Sequence, residues 1–213
     1  MVLFQNQATR GKEVFLKKIN KIFKILFFGY FINLLILTEV IALENNLKNN
    51  IINYFKNIDE FSSLFFQSSA KGIEEGELFL KNKRIRIQYL LPSNILIIIG
   101  KRKSMYFNKD LEEVEYFKTK KTIANVFFKF FYDQSFFDNS VFKEKENSII
   151  IEKNIKFDND EIFMKIYFEK SPLILRKLEI KNIDGITSYS IVNPNFNPIL
   201  NKKLFSLANP TLN

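Results

Sequence analysis

The most constraining feature of the sequence is a close succession of β-strand patterns, GELFLKNKRIRIQYLLPSNILIIIGKRKSMYFNKDLEEVEYF, over residues 76–117. Within it, Ile85, Ile87 and Tyr89 alternate with polar residues, which is the period of a half-buried strand. Pro92 ends that strand, because proline cannot donate to a ladder. Short strands at this spacing indicate an antiparallel meander.

The same pattern recurs on both sides of this stretch. FSSLFFQSSA precedes it, and SIIIEK, EIFMKIYFEK, LILRKLEIKN, GITSYSIVN and KKLFSLANP follow it. The Asp184-Gly185 pair is a strong signal for a hairpin turn. In total we predict about ten or eleven strands, and a sheet of that size must curl until it closes or nearly closes into a barrel.

Two segments have helical rather than strand spacing. The first lies near the start, where its apolar stripe predicts a helix of about three turns, interpreted as core packing. That stripe comprises Leu47, Ile51, Ile52, Phe55 and Ile58. The second is a short, very aromatic insertion between strands, interpreted either as a plug at one end of the sheet or as a movable apolar cover. Its spaced residues are Ile123, Val126, Phe127, Phe130 and Phe131.

The N-terminal segment has the three parts of a secretory signal peptide. A basic region precedes an apolar run from Ile25 to Leu37, and cleavage is expected after Ala42. The basic side chains are Lys17, Lys18, Lys21 and Lys24. We therefore predict a signal peptide over residues 1–42 and a single exported domain over residues 43–213. An uncleaved membrane anchor is the alternative, although the apolar run falls short of the about 20 residues that a span needs.

Composition excludes several kinds of chemistry. The chain has no cysteine and no histidine, which removes thiol nucleophiles, disulfides, cysteine-based zinc sites, lipid-bearing cysteines and the commonest general base. An enzyme that uses Asp/Glu pairs, such as a lipase-like hydrolase, is a further alternative, but the sequence has neither a Gly-x-Ser-x-Gly motif nor a histidine. The net charge of +9 is concentrated partly in the N-terminal segment, so we expect no binding to nucleic acid.

The order of the motifs resembles that of the LolA family, the periplasmic carriers of outer-membrane lipoproteins. FSSLFFQSS is similar to the family's Phe-x-x-x-Phe-x-Gln start, and GELFLKNKRIRIQYLLP is similar to its Gly-x-Leu strand and its aromatic strand ending in proline. GKRKSMYFNKDLEEVEYF, the aromatic helix, LRKLEIKNIDGITSYSIVN and FNPILNKKLFSLANP follow in the family's order. The resemblance covers nearly all of residues 44–210.

The resemblance implies a mainly β fold with helices (α+β): an incomplete antiparallel β-barrel whose helical lid covers a hydrophobic cavity. The residues that it places in a lipid-binding cavity are Phe65, Leu78, Leu80, Ile85, Ile87, Tyr89 and Met105. The residues that it places in the lid are Ile123, Val126, Phe127, Phe130 and Phe131. It implies a periplasmic carrier with no catalytic residue, no metal and no cofactor, and we expect a monomer.

The resemblance also implies the partners. The carrier would take acylated lipoproteins from an inner-membrane ABC transporter and pass them to an outer-membrane acceptor. A LolB-like acceptor is excluded in its anchored form, because that anchor needs a cysteine. Three alternatives stay open: a carrier of another amphiphile such as a glycolipid, an anchored lipoprotein-binding sensor, and a carrier that doubles as acceptor.

The sequence departs from the family pattern at two points. Family members commonly have an Arg-Pro pair after the second strand, where the arginine helps to latch the lid, and this chain has Lys81-Asn82-Lys83 there, followed by Arg84. Tryptophan is absent as well. The basic residues on this hairpin form a rim that serves either solubility or docking to an acidic partner surface. They are Lys81, Lys83, Arg84 and Arg86.

Overall fold

The structure is a computed structural model that describes residues 45–157 and 160–212. The described residues from Lys48 onward belong to one compact unit. The predicted signal peptide and its cleavage site lie outside the described residues. Within the described ranges, none of the helices has both the length and the apolar character needed to cross a membrane.

The chain forms two α-helices and eleven strands. Helix α1 comprises residues 45–56, which matches the predicted helix of about three turns, and helix α2 comprises Ala124–Tyr132. The first six strands are β1 (Glu60–Ser69), β2 (Gly72–Lys81), β3 (Arg84–Leu91), β4 (Ile95–Ile99), β5 (Lys103–Asn108) and β6 (Glu113–Lys118). The other five are β7 (Val141–Glu144), β8 (Ser148–Phe157), β9 (Asp160–Lys170), β10 (Leu173–Asn182) and β11 (Gly185–Asn195). Short 3-10 helices flank α2 at Thr119–Lys121 and Gln134–Phe137.

All eleven strands belong to one antiparallel sheet, in the order β6-β5-β4-β3-β2-β1-β11-β10-β9-β8-β7. Strands β1 to β6 form one meander and β7 to β11 form another, and the pairing of β1 with β11 joins them. The two edges, β6 and β7, do not pair with each other. The sheet is therefore an open barrel, as predicted, and the segment that contains α2 connects one free edge to the other.

Cross-strand partners show which residues share a face of the sheet, because side chains directly opposite each other point the same way. Leu78 on β2 lies opposite Ile87 on β3, which in turn lies opposite Ile97 on β4. On the other side of β1, Phe65 lies opposite Ile191 of β11. We call the face that carries these residues the inner face, and the opposite one, with its many charged residues, the outer face.

The predicted closing strand is wrong. KKLFSLANP does not join the sheet: Lys202–Phe205 is a short 3-10 helix, and the eleventh strand is instead β7. The physical reason is that β11 already has a neighbour on each side, so no free ladder is available beside it. The C-terminal segment, residues 200–212, lies across the sheet instead of extending it.

Candidate functional site

The centre of the inner face encloses a small apolar cavity, which we call the inner cavity. Its volume is about 30 Å³, which is room for roughly one water molecule. Every lining residue is apolar or aromatic. The lining consists of Phe65, Leu78, Ile87, Phe127, Phe131, Leu178, Tyr189 and Ile191. Two of these eight come from α2, so the helix itself fills most of the space that the curved sheet encloses.

Gly76 allows this packing on β2. A Cβ atom at this position would lie 2.4 Å from the Phe65 ring and 2.6 Å from the Gln88 carbonyl oxygen, both far inside van der Waals contact. Without a side chain at Gly76, the Phe65 ring lies against the strand and makes an edge contact with Tyr89, 5.3 Å between ring centroids. The glycine of the GELFLK motif thus shapes the wall of the inner cavity.

Helix α2 is fixed over the inner face at both ends. Near its start, the Phe127 ring makes an edge contact with Tyr189, 5.9 Å between centroids. At its last residue, the Tyr132 hydroxyl donates a hydrogen bond of 2.8 Å to the backbone oxygen of Arg84. Burial raises the pKa of Tyr132 well above its usual value, so this hydroxyl stays protonated and able to donate at neutral pH.

Helix α1 completes the cover through a cluster of aromatic rings. Phe55 contacts Phe130 at 5.0 Å and Phe131 at 6.0 Å, and it stacks on Phe137 at 5.6 Å. On its other side, Phe55 contacts Phe168 of β9 at 6.0 Å. Aromatic pairs of this kind each contribute about 0.5–1.5 kcal/mol beyond the area that they bury. Phe55 of the α1 stripe thus does more than pack the core: together with Phe130, Phe131 and Phe137 it forms what we call the aromatic plug.

A second, larger hollow lies beside the plug. We call it the hairpin groove, because it runs between the end of α1, the β2–β3 turn and the end of α2. Its volume is about 460 Å³. Its apolar lining includes Ile52, Phe55, Phe130, Phe131 and Phe137, and its polar lining includes Lys56, Asp59, Asn82, Lys83, Asp133 and Gln134.

The opposite end of the inner face carries a chain of hydrogen bonds. The Tyr89 hydroxyl donates to Gln67 Oε1 at 2.7 Å, and Gln67 Nε2 donates to Glu74 Oε2 at 2.7 Å. Burial raises the pKa of Tyr89 strongly and that of Tyr189 to about 12, so both phenols are neutral at physiological pH. This network satisfies the polar groups that border the apolar interior.

The basic rim predicted on the β2–β3 hairpin is engaged by the chain's own C-terminal segment. Arg84 donates to the Phe205 oxygen, and Arg86 donates to the Leu204 oxygen at 2.8 Å. Lys81 forms an ion pair with Glu60 and donates a hydrogen bond to the backbone oxygen of Leu200. The hydrogen bond from this lysine lowers the pKa of the Glu60 carboxyl. Three of the four rim residues are thus partly buried and occupied, and the hypothesis of a free basic docking rim is wrong for them.

In the part of the chain that the structure describes, no cation of the β2–β3 hairpin bonds to α2, and a tyrosine of α2 supplies the contact instead. Asn82 and Lys83 form a tight turn with φ angles of 51° and 54°, and both are exposed. The lid contact on this hairpin is the hydrogen bond from Tyr132 to the Arg84 backbone.

Across residues 45–157 and 160–212, no cluster of acidic side chains is arranged to hold a metal ion.

Comparison with protein families decides what kind of protein this is. Residues 56–208 match the model of the family described as "Outer membrane lipoprotein carrier protein LolA". The chain belongs to the LolA family. None of the curated proteins matches the sequence at a significant level. LolA-family proteins are periplasmic carriers and not enzymes.

Solved structures are similar to this chain at very low sequence identity, and the first of the three described here shares its fold. An uncharacterized conserved protein from Thermus thermophilus has a TM-score of 0.51 at 7% identity, over 76% of this chain and 94% of that one. A DUF1329 family protein from Desulfovibrio piger has a TM-score of 0.46 at 8% identity, and the match covers 76% of this chain and 97% of that one. The MucA/MucB complex of Pseudomonas aeruginosa has a TM-score of 0.46 at 8% identity, and the match covers 75% of this chain and 61% of that one.

In this LolA-family chain, most of the predicted cavity residues share the inner face. Phe65, Leu78 and Ile87 line the inner cavity, and Leu80 and Ile85 lie opposite each other on the same face. Tyr89 also lies on that face, next to Phe65, and takes part in the hydrogen-bonded chain.

Met105 is wrongly predicted as a cavity residue. It pairs with Ile98, which pairs with Arg86, so it points to the outer face. There it belongs to a separate apolar cluster with Leu96, Ile98 and Phe107, against which Leu207 of the C-terminal segment packs.

The predicted lid residues divide into three groups. Phe127 and Phe131 line the inner cavity, and Phe130 is fully buried in the aromatic plug. Val126 is buried but lines a different groove, with Lys153 and Phe157. Ile123 is wrong as a lid contact: it precedes the first residue of α2 and is 41% exposed.

Sequence reasoning missed the wall contributed by the last two strands. Leu178 of β10 and Tyr189 and Ile191 of β11 line the inner cavity. Leu178 lies directly opposite Tyr189 in the ladder. The alternation in LRKLEIKN and GITSYSIVN, combined with the hairpin at Asp184-Gly185, contained the signal needed to find them.

Proposed function

We propose that this chain is a periplasmic carrier that shields the acyl chains of lipoproteins and delivers the lipoproteins from an inner-membrane ABC transporter to an outer-membrane acceptor. Residues 1–42 are its proposed signal peptide, and the carrier domain acts as a monomer. One observation carries the proposal: an aromatic helix covers an apolar hollow on the inner face of an open sheet, in a chain of a carrier family.

The physical chemistry of the hollow suits this task. Each buried methylene contributes about 0.8 kcal/mol, so an acyl chain strongly resists crossing water unprotected. An inner cavity of about 30 Å³ does not accommodate such a chain while α2 is in place. Loading therefore requires the helix to withdraw Phe127 and Phe131, and the lost packing offsets part of the binding free energy. A carrier needs this offset, because binding that is too strong prevents release.

The test is release of a labelled lipoprotein from spheroplasts by the purified carrier domain. We expect release by the wild-type chain and loss of release by Ile87→Glu, which places a charge in the wall of the inner cavity. Ile186→Glu is the matched control, because Ile186 is 58% exposed and the same substitution there leaves the cavity apolar.

The outcomes separate the alternatives. Equal release by Ile87→Glu and wild type would contradict the proposed use of the cavity, provided that circular dichroism shows both to be folded. No release by the wild-type chain, together with a glycolipid identified by mass spectrometry in the purified protein, would favour a carrier of another amphiphile.

A further inference from the structure

The inner cavity and the hairpin groove share a single wall. Phe131 is the one residue that lines both hollows within the described part of the chain. Its side chain is 5% exposed, and its ring contacts Phe55 at 6.0 Å and Phe130 at 4.7 Å. Since Phe131 belongs to α2 and to no strand, its ring can leave this position without any change in strand pairing.

The two hollows differ in size and in chemistry. At about 460 Å³, the hairpin groove is within the range of about 300–1,000 Å³ that is usual for ligand sites, while the inner cavity is far smaller. The inner cavity has an apolar lining, whereas the groove combines an aromatic floor with a polar rim. A groove of this kind fits a molecule that is apolar at one end and polar at the other.

The polar rim indicates which head group fits. Lys56 and Lys83 share the rim with Asp59, Asp133 and Glu60, and Glu60 is already paired with Lys81. The remaining rim charges are therefore balanced and favour neither an anionic nor a cationic head. Asn82 and Gln134 add both donors and acceptors, which match the carbonyl and N–H groups of esters and amides. The N-terminal end of an acylated polypeptide has this chemistry.

We propose that the hairpin groove receives the amide- and ester-linked head of an acylated polypeptide, and that the Phe131 ring is the partition that an acyl chain displaces to pass into the inner cavity. This inference rests on the proposed function and adds to it a site for the head and a route for the chain. The groove holds the polar end at the surface, and the chain extends past Phe131 towards Phe65 and Ile87.

The partition is tested by the rate of uptake of a palmitoylated peptide that carries a dansyl group, measured by stopped-flow fluorescence. We expect Phe131→Ala to take up the peptide at least about tenfold faster than wild type, because the barrier to displacing the ring is removed. Phe136→Ala is the matched control: Phe136 is also 5% exposed and contacts Phe130, but it lines neither hollow.

The head site is tested by comparing the palmitoylated peptide with free palmitate. The double variant Asn82→Gly/Gln134→Ala removes two polar side chains of the rim, and glycine suits the positive φ of residue 82. We expect its affinity for the palmitoylated peptide to fall roughly tenfold, for two lost hydrogen bonds, and its affinity for palmitate to stay unchanged.

The outcomes distinguish this inference from the proposed function. If wild type binds the palmitoylated peptide and Phe131→Ala takes it up at the wild-type rate, the partition is refuted while the carrier function stands. If the rim variant loses affinity equally for peptide and palmitate, the head site is refuted. If wild type binds neither, both the inference and the proposed function fail.

A second measurement covers the case in which Phe131→Ala does not fold. The natural chain contains no tryptophan, so Phe131→Trp and Phe136→Trp each carry one site-specific fluorophore. A palmitoyl peptide brominated on its chain should quench the tryptophan at position 131 strongly and the one at position 136 weakly. Equal quenching at both positions would overturn the proposed route.

Discussion

At the scale of single residues, two buried serines differ in whether their hydroxyl group has a hydrogen-bond partner. Ser104 is fully buried, and its hydroxyl lies 2.8 Å from Thr119 Oγ1, which donates to the Gly100 oxygen at 2.7 Å. Ser63, on the inner face opposite Leu78, is 6% exposed, and its hydroxyl has no hydrogen-bond partner among the described residues.

This difference predicts opposite effects of the same substitution. Ser63→Ala should leave the free energy of unfolding unchanged or raise it by about 1 kcal/mol, because it removes an unpaired polar group from an apolar wall. Ser104→Ala should lower the free energy of unfolding by about 1 kcal/mol, because the Thr119 hydroxyl loses a partner. Urea unfolding of both variants measures the effect, and equal destabilisation would contradict it.

The errors of residue-level prediction have physical causes. The prediction for Met105 is wrong because the apolar side of β5, Met105 and Phe107, packs into a second apolar cluster on the outer face. Ile123 has correct helical spacing, but it lies at the N-cap of α2, where its side chain is exposed and not covered by the sheet. In contrast, Ile85 and Ile87 alternate with arginine and glutamine, and their face could be predicted from the sequence alone.

At the scale of elements, α2 is held to the β2–β3 hairpin by a neutral hydrogen bond from Tyr132 to the Arg84 backbone. A neutral hydrogen bond contributes about 0.5–1.5 kcal/mol, which is enough to bias a lid without locking it. The family pattern expects an arginine at this hairpin, and the sequence could not reveal the replacement, because the acceptor is a backbone atom.

We predict that Tyr132→Phe loosens α2 while the sheet stays intact. The amides of α2 should exchange with deuterium about fivefold faster, in line with a loss of about 1 kcal/mol, and the exchange of β8–β10 should not change. Tyr167→Phe is the control, because that hydroxyl donates to Glu179 on the outer face at 2.7 Å. Unchanged exchange of α2 in Tyr132→Phe would refute the latch.

The C-terminal segment is a second element with a defined attachment. Arg84 and Arg86 donate to its backbone oxygens, Tyr116 donates to the Leu207 oxygen at 2.9 Å, and Leu207 covers the apolar cluster on the outer face. The strand pattern of KKLFSLANP could not show this, since the pattern contains no information on which sheet edges are free.

Removing the guanidinium groups should release this segment. In the double variant Arg84→Gln/Arg86→Gln, we expect trypsin to cleave at Lys202 and Lys203 roughly tenfold faster than in wild type, because local opening becomes more frequent. Arg176→Gln is the control, since that guanidinium pairs with Glu169 on an exposed surface. Cleavage at the wild-type rate in the double variant would show that the arginines do not hold the segment.

At the scale of the whole molecule, the open sheet and helix α2, which covers its inner face, act together. Ten of the eleven strands, their antiparallel arrangement and the aromatic insertion could be predicted from alternation and spacing in the sequence, whereas β7 was missed. The pairing of β1 with β11 and the two free edges could not, because they depend on contacts between residues far apart in the chain. Helix α2 lies in the segment that connects the two free edges and belongs to no ladder, so it can leave the inner face without breaking one.

The central claim is that α2 moves away from the inner face when an acyl chain enters the inner cavity. The chain has no cysteine, so Lys129→Cys on α2 and Lys181→Cys on β10, both at exposed positions, accept a pair of spin labels without competing sites. The measurement is the distance distribution between the two labels, with and without a palmitoylated peptide. We predict a clear shift to a new distance on loading and no shift with the unacylated peptide. An unchanged distribution in protein that has demonstrably bound the palmitoylated peptide would contradict the account.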